Sequence, residues 1–430
     1  MTQSKPPFSL RAYRSAASLA KPLAKLALSR RLKAGKEDPA RIGERKGEPG
    51  QARPSGPLVW LHGASVGESL SVLPLIERLS AEMPRTNFLV TTGTVTSAAL
   101  MEERLPPRAI HQYVPVDQPH FVRSFLDHWR PDAALFVESE LWPSLIGETR
   151  RRGVPMALVN GRLSPKSFES WQPRAEAARS LLDAFDIVLG QDTENARRLA
   201  TLSGRQVPML GNLKQAAEAL PADEAALDAL RAAIGERPVW VAASTHAGEE
   251  EAILDAHQQL NGRLPDLLTV IAPRHPGRGT QVQALCAERN LPAIRRGTGA
   301  LPGPEHAVYV ADTLGELGLF YRTCSVAFIG GSLVKTGGHN PLEPARLSCA
   351  IITGPHLFNF QDTYAAMRSA GGSALVRNDR DLSASLLRLM TDPVTREEMA
   401  RHAREWADDA AAAVLDDVIH ALRPVLEQAG

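Results

Sequence analysis

The chain has 430 residues, of which 43% are hydrophobic and 23% charged, so it is long enough for two or three domains with cores of their own. Lys and Arg exceed Asp and Glu by only one residue, which excludes the global positive field of a typical nucleic-acid-binding protein. The three cysteines, Cys286, Cys324 and Cys349, form no Cys-x-x-Cys pair. They suggest neither a disulfide framework nor a zinc site, and they fit a reducing cytoplasm.

Positive charge is concentrated at the N-terminus. Residues 1–36 carry nine Lys or Arg and no acid, and apolar side chains recur between these charges at helical spacing. No stretch approaches the ~18 apolar residues of a spanning helix, and no signal-peptide pattern is present. We therefore expect residues 1–50 to form a basic amphipathic segment. It either lies on an anionic membrane surface or is a solvated helix or disordered arm.

From residue 57 onward, short apolar runs alternate with segments that can form helices. Continuous apolar strands of this kind predict parallel sheets that are covered by helices on both faces. A stretch rich in alanine and acidic residues interrupts the series near 215–235, and the tail from Pro393 to Gln428 has a helical pattern. The predicted strands are 57–63, 87–93, 110–116, 133–139, 155–161, 185–191 and 206–212, then 238–245, 267–274, 307–312, 325–332, 349–355 and 373–378. We predict an α/β protein with two facing Rossmann-like, doubly wound domains, residues 51–218 and 219–430.

Polar residues follow the strands of the first predicted domain, where ligands bind in open parallel sheets. The loop at 62–68 opens a helix and places Glu68 in its first turn, where Glu68 serves either acid–base catalysis or the helix dipole. The loop matches neither a Walker motif nor a dinucleotide fingerprint. Glu138 and Glu140 end the fourth strand and serve either acid–base chemistry or helix capping. Arg162, after the fifth strand, is either a ligand contact or a salt-bridge partner.

The second predicted domain carries three further polar loops. Residues 244–250 follow a strand and open a helix, a polar turn suited to phosphate. Arg274 and His275 end the next strand and add a cation. The glycine-rich residues 330–343 permit the close approach of a ligand to the backbone, and they place a carboxylate at a helix entrance. Each of these loops, taken alone, is also compatible with an ordinary surface loop that binds no ligand.

Taken together, the loops resemble the family of 3-deoxy-D-manno-octulosonic acid (Kdo) transferases, which build the inner core of lipopolysaccharide. The matching motifs are VWLHGASVGE (59–68), TTGTVTSA (91–98), VPVD (114–117), ESELWP (138–143), NGRLS (160–164), GNLK (211–214), AASTHAGEE (242–250), IAPRHPGR (271–278) and GGSLVKTGGHNPLEP (330–344). They run in order through nearly the whole chain. The chain departs from the family pattern at Gly63 and Gly161, where alanine is usual.

The resemblance implies a GT-B-type inverting glycosyltransferase without metal or cofactor. Its donor would be CMP-Kdo and its acceptor a phosphorylated lipid A precursor, lipid IVA, at the cytoplasmic face of the inner membrane. Glu68 would be the general base that takes the proton of the attacking hydroxyl. The expected acceptor-side or Kdo-side contacts are Ser65, Glu138, Glu140 and Arg162. The expected nucleotide contacts are Ser244, Thr245, Arg274, His275, Gly331, Lys335, Asn340 and Glu343, with Glu343 on the ribose and Lys214 as a further phosphate or carboxylate candidate.

Two alternatives from other classes remain open. A UDP-sugar transferase or a sugar-nucleotide epimerase has the same two domains, although the motifs of the first domain argue against it. A non-enzymatic two-domain ligand-binding protein would close on its ligand without using Glu68. That class is normally exported, and no signal peptide is apparent in this sequence.

Overall fold

A computed structural model describes residues 7–138, 141–216 and 218–428, without the side chain of Val66. The chain divides into two compact units, Met1–Ala217 with Ala411–Gly430, and Glu218–Ala410. Each unit is built on one parallel sheet, with α-helices between successive strands except between the strands Ala293–Arg295 and Val308–Val310. The prediction of two Rossmann-like α/β domains is therefore confirmed.

The first unit contains a six-stranded sheet in the order β3-β2-β1-β4-β5-β6. Its strands are β1 (Leu58–His62), β2 (Asn87–Thr92), β3 (Ala109–Tyr113), β4 (Ala133–Val137), β5 (Met156–Gly161) and β6 (Ile187–Gly190). All residues of β1, β4 and β5 are buried, as expected for strands covered on both faces. The strand order reverses between β1 and β4, and such a switch point is where open α/β sheets bind ligands.

The predicted basic N-terminal segment consists of two helices, α1 (Phe8–Leu19) and α2 (Lys21–Lys33). Leu10 and Leu28 are buried, whereas Phe8 is 81% exposed and Leu19 is 83% exposed. In the part of the chain that the structure describes, no helix has both the length and the apolar character required to cross a bilayer. The remaining helices before residue 217 are α3 (Val66–Glu82), α4 (Val95–Arg104), α5 (Pro119–Trp129), α6 (Pro143–Arg151), α7 (Pro165–Trp171), α8 (Ala175–Leu182) and α9 (Thr193–Ser203).

The second unit contains a seven-stranded sheet in the order β13-β12-β11-β7-β8-β10-β9. Its strands are β7 (Val239–Thr245), β8 (Leu268–Pro273), β9 (Ala293–Arg295), β10 (Val308–Val310), β11 (Val326–Ile329), β12 (Ala350–Thr353) and β13 (Ser373–Leu375). The switch point of this sheet lies between β7 and β11, the strands that precede two of the predicted nucleotide-binding loops. Its helices are α10 (Glu224–Ile234), α11 (Glu249–Leu260), α12 (Gly279–Glu288), α13 (Leu317–Thr323), α14 (Leu342–Arg346), α15 (Gln361–Ser369), α16 (Asp379–Thr391) and the first part of α17 (Pro393–Leu426).

Two predicted features of the sheets differ from the structure. The run 206–212 contributes one isolated bridge, from Met209 to Gly190, instead of a strand. Pro208 lacks the N–H that a strand ladder uses, and Gly211 has a left-handed backbone with φ +96°. Strand β9 was not predicted, because its three residues are only half-buried and carry no continuous apolar pattern.

The C-terminal end of the chain also differs from the predicted division, which assigned residues 219–430 to the second domain. Residues from Ala411 onward group with the first unit. The reason is apolar packing, because Val418 and Leu422 share a buried cluster with Leu75 and Leu79 of α3. This helical end therefore completes the core of the first unit.

Candidate active site

Glu68 lies in the first turn of α3, directly after β1 and at the switch point of the first sheet. Its side chain is 8% exposed. One carboxylate oxygen accepts the backbone N–H of Ala64 at 2.7 Å, and the other accepts the hydroxyl of Ser65 at 2.9 Å. A Cβ atom at Gly63 would lie 3.2 Å from the Cβ of Glu68, so glycine leaves room for this side chain. The loop thus holds the carboxylate in a defined position.

Ser65 is the N-cap of α3. Its hydroxyl oxygen accepts the N–H of Glu68 at 3.3 Å while the same hydroxyl donates to the Glu68 carboxylate. Caps of this kind typically stabilise a helix by about 1 kcal/mol. Ser65 was expected to contact the acceptor or Kdo, and the contacts that the structure gives it are those of a residue that positions the Glu68 carboxylate.

Glu138 follows β4, on the strand next to β1, and its side chain is buried. Its Oε1 lies 2.6 Å from Nζ of Lys214, and its Oε2 lies 3.8 Å from a guanidinium nitrogen of Arg162. The structure thus brings two predicted cations, Lys214 and Arg162, to the carboxylate of a third predicted site residue, Glu138. The turn that carries Lys214 also contacts α3, the helix that begins beside Glu68.

Asn160 positions this cluster, although the sequence analysis gave it no role of its own. Its Oδ1 accepts the N–H of Leu213 at 3.1 Å and so fixes the turn that carries Lys214. The buried Nδ2 atom of Asn160 has no hydrogen-bond partner among the described residues. Glu140, which was predicted at the same edge, lies outside the residues that the structure describes.

Three residues at strand ends have left-handed backbone conformations that are unusual for residues other than glycine. They are Glu138 with φ +59°, Asn160 with φ +55° and Ser244 with φ +58°. Such conformations typically cost about 1–3 kcal/mol, and they concentrate at functional sites. Their positions at the ends of β4, β5 and β7 coincide with the loops that the sequence analysis selected.

In the second unit, Glu249 organises the glycine-rich loop. Its carboxylate is fully buried and accepts four backbone N–H groups, those of His246 at 3.0 Å, Gly331 at 2.7 Å, Ser332 at 2.9 Å and Leu333 at 2.9 Å. The predicted contact Gly331 therefore donates its N–H to Glu249. This role could not be predicted from the sequence, because Glu249 and the glycine-rich loop are more than 80 residues apart along the chain.

Thr245, another predicted contact, lies at the buried end of β7. Its hydroxyl donates to Oε1 of Glu250 at 3.1 Å, and Oε2 of Glu250 accepts a bond from Arg278 at 3.1 Å. Burial raises the pKa of Glu250, although Arg278 and Thr245 oppose the shift. Thr245 therefore belongs to the support of the loop, whereas the neighbouring Ser244 is partly exposed.

Three histidines lie close together at the switch point of the second sheet. The rings of His246 and His339 stack with centroids 5.1 Å apart, and their Nε2 atoms are separated by 2.8 Å. His275, a predicted contact, meets His246 edge to face at 6.1 Å. Burial, aided by His246, Arg274 and His275, lowers the pKa of His339 to about 4. His339 is therefore neutral at pH 7.

Glu343 lies in the first turn of α14, at the helix entrance where the sequence predicted a carboxylate. Burial raises its pKa, while Asn340, Arg274 and Arg346 lower it. Asn340 donates from its amide to Oε1 of Glu343 at 3.3 Å and accepts the N–H of Leu342 at 3.1 Å. The predicted Glu343, Asn340 and Arg274 thus lie together, and Lys335 is exposed on the same glycine-rich loop.

In the described ranges 7–138, 141–216 and 218–428, no group of three or more His, Cys, Asp or Glu side chains is arranged to hold a metal ion.

Comparison with known proteins places the chain among sugar transferases. Residues 40–217 match the family model for 3-deoxy-D-manno-octulosonic-acid transferase (kdotransferase). The 3-deoxy-D-manno-octulosonic acid transferase of Haemophilus influenzae is 33% identical over 393 residues, which cover 90% of this chain and 92% of that protein. The protein of the same name from Rickettsia bellii is 35% identical over 372 residues, or 86% of this chain and 88% of the relative.

A solved structure shares the fold. It is the crystal structure of a putative UDP-N-acetylglucosamine 2-epimerase from Listeria monocytogenes, which superimposes with a TM-score of 0.58. The match covers 87% of this chain and 98% of that chain at 14% identity. At this identity, the likeness shows the GT-B fold alone.

Proposed function

The chain belongs to the Kdo transferase family, and from this we propose that it transfers Kdo from CMP-Kdo to a lipid A precursor, lipid IVA, with inversion at the anomeric carbon. The observation that carries the proposal is the fixed position of Glu68 at the switch point of the first sheet, next in the sheet to the strand that bears Glu138. In this proposal the first unit binds the acceptor, and the second unit binds the nucleotide.

Glu68 acts as the general base. A hydroxyl of the acceptor attacks the anomeric carbon of Kdo, and its proton passes to the Glu68 carboxylate as the new glycosidic bond forms. The bond from that carbon to the phosphate of CMP breaks, and its electron pair leaves with the cytidylate. The hydrogen bonds from Ala64 and Ser65 keep the carboxylate oriented for this transfer.

The cations of the first unit recognise the carboxylate of Kdo. Lys214 and Arg162 lie on either side of Glu138, which holds both side chains at the carboxyl edge of the sheet. Arg162 is 53% exposed and Lys214 is 41% exposed, so both reach solvent while they pair with the buried Glu138. A substrate carboxylate would therefore meet two positioned cations.

The nucleotide site lies at the ends of β7, β8 and β11 in the second unit. Arg274, with the exposed Lys335, stabilises the charge that develops on the departing phosphate, and we propose that no metal ion is needed. The carboxylate of Glu343 accepts hydrogen bonds from the ribose hydroxyls. Asn340 supports Glu343, and His246 and the neutral His339 form one wall of the site.

The N-terminal helices associate with the cytoplasmic face of the inner membrane. Exposed apolar side chains on α1 and α2, including Phe8, Leu19 and Leu23, lie among basic residues. This combination is typical of helices that lie in a membrane interface and are attracted by anionic lipids.

Nucleotide-dependent thermal stabilisation tests the donor assignment. Because a ligand stabilises the state that binds it, CMP and CTP should raise the melting temperature of the full chain, whereas UDP should not. Stabilisation by UDP alone would favour a UDP-sugar transferase or epimerase. No effect of any of these nucleotides would contradict a cytidylate donor.

A further inference from the structure

A groove of about 490 Å³ lies in the first unit, between α1, α5 and α6. This volume falls within the ~300–1,000 Å³ typical of small-ligand sites. The groove is lined by Arg11, Arg14, Ser15, Ser18, Pro119, Arg123 and Glu148, and we call it the α1 groove. None of these residues belongs to the candidate active site.

The α1 groove has an excess of positive charge. Glu148, only 3% exposed, lies 3.3 Å from Arg123 and 3.9 Å from Arg14. The same carboxylate also pairs with Arg151 and lies 3.5 Å from Arg152. Arg152 has one further acidic partner, the exposed Asp127 at 2.5 Å. Arg11 also lines the groove, so among the described residues five guanidinium groups and two carboxylates lie in the groove or in the ion pairs that adjoin it.

The chemistry of the groove fits a phosphate monoester. Guanidinium groups bind phosphate oxygens in a bidentate manner, and a doubly charged phosphate balances more of the excess charge than a singly charged ligand does. The hydroxyls of Ser15 and Ser18 can donate two further hydrogen bonds. Because Arg14 and Arg123 remain 31% and 47% exposed, their guanidinium groups are accessible to such a ligand.

The helix that forms one wall of the groove also indicates where the phosphate comes from. Phe8, Arg11, Ser15 and Leu19 follow one another at intervals of three and four residues, so they share one face of α1. The two apolar ends of this row are among the most exposed large hydrophobic side chains. The hydroxyl of Tyr13 donates to Asp117 at 3.0 Å and helps to anchor the helix to the unit. The two apolar ends of the row, Phe8 and Leu19, can enter a membrane while the groove, which Arg11 and Ser15 line between them, holds a headgroup.

We propose that the α1 groove binds the phosphate monoester headgroup of a membrane lipid. The site selects this headgroup over other anionic lipids and fixes the orientation of the first unit on the membrane. This inference rests on the proposed membrane association, and it does not depend on the transfer reaction.

Vesicle binding by the full chain tests the proposal. Vesicles of phosphatidylcholine contain either phosphatidic acid, a monoester, or phosphatidylglycerol, a diester, in amounts adjusted to equal surface charge. Arg123→Ala removes a groove cation that lies outside the N-terminal helices, and Arg14→Gln is a second variant with a smaller change in packing. Arg108→Ala is the control. Arg108 is an exposed cation that immediately precedes β3, and it does not line the groove.

We expect the wild-type protein to prefer phosphatidic acid. Loss of one charge-assisted contact in either groove variant should weaken binding to these vesicles about tenfold, with a change of less than about twofold on phosphatidylglycerol and in Arg108→Ala. Equal losses on both lipids, or a loss in Arg108→Ala as large as in the groove variants, would overturn the proposal. So would binding of inorganic phosphate that depends on Arg123 without any preference for phosphatidic acid. The vesicle assay contains neither CMP-Kdo nor the lipid A precursor, so failure of the proposed transfer reaction would leave this result unaffected.

Discussion

Lys214 forms an ion pair with Glu138, and its Nζ lies 2.6 Å from Oε1 of that buried carboxylate. The pair joins the end of β4 to the turn that follows β6 and its helix α9, so it fixes two segments that are far apart in the chain. Lys214 is therefore already paired with Glu138 in the candidate site before a substrate binds. A substrate carboxylate must compete with Glu138 or share the lysine with it.

Removal of the lysine should therefore destabilise the first unit. Lys214→Met leaves Glu138 with the more distant Arg162 as its cation, which should lower the free energy of unfolding by about 1–2 kcal/mol, less than for a fully buried pair. Lys214→Arg should cost less, because it keeps the charge. Chemical denaturation of Lys214→Met, of Glu138→Gln and of the double variant measures the coupling, and strictly additive losses would show that the ion pair contributes nothing.

Glu249 should be needed both for stability and for nucleotide binding. Glu249→Gln replaces an acceptor of four N–H bonds by an amide whose nitrogen can only donate, so about 2 kcal/mol of stability should be lost. Affinity for CMP, measured by calorimetry, should fall at least tenfold as the glycine-rich loop loses its support.

The matched control for this prediction is Glu251→Gln. Glu251 lies on the same helix, and among the described residues its carboxylate accepts one backbone N–H, that of Gly248 at 3.0 Å. If both variants bind CMP with the same affinity, Glu249 does not position the nucleotide site.

The stability of the second unit should depend on pH through His257. Burial, aided by Arg237, lowers the pKa of this histidine from 6.5 to about 4. The unfolded state therefore binds the proton first as the pH falls, so stability is complete above pH 6.5 and is lost progressively towards pH 4. Between pH 7 and pH 5 the contribution of this one group should be about 1–2 kcal/mol.

Nδ1 of His257 lies 2.8 Å from the hydroxyl of Thr269, and His257→Asn keeps a polar group near this hydroxyl while it removes the titration. We expect its melting temperature to fall less between pH 7 and pH 5 than that of the wild-type protein, in scanning calorimetry at both pH values. Parallel pH profiles would show that His257 is protonated equally in the folded and unfolded states.

Transfer should persist in the presence of a chelator. In our proposal Arg274 and Lys335 stabilise the negative charge on the leaving phosphate. EDTA should therefore leave the rate unchanged when the donor is supplied preformed. Loss of the activity in EDTA that is restored by magnesium would contradict this account of the phosphate site.

Much of the fold can be predicted from the sequence because most strands are short apolar runs between turn residues. The run at 58–62 is an example, since burial on both faces leaves no polar alternation. Ala293–Arg295 could not be recognised, because a half-buried edge strand of three residues has no such pattern. Residues 206–212 have a strand-like composition, yet the backbone at Pro208 and Gly211 does not continue a ladder.

The candidate site could be predicted where one rule applies, namely that ligands bind beyond the carboxyl ends of parallel strands. That rule placed Glu68, Glu138 and Arg162 at one edge of the first sheet. It does not show which partners a side chain takes. The four N–H bonds of Glu249 and the stacking of His246 on His339 join residues that only the folded chain brings together.

The most direct test is mass spectrometry of the products formed from preformed CMP-Kdo and a tetra-acylated lipid A precursor. The account predicts an acceptor heavier by one or more Kdo units with the wild-type protein. Glu68→Gln should lower the rate of its formation by about 100-fold while the melting temperature and CMP binding persist. Glu82→Gln, at the exposed end of the same helix, should react at the wild-type rate. A folded wild-type protein that binds CMP but adds no Kdo, or a Glu68→Gln protein that turns over at the wild-type rate, would contradict it.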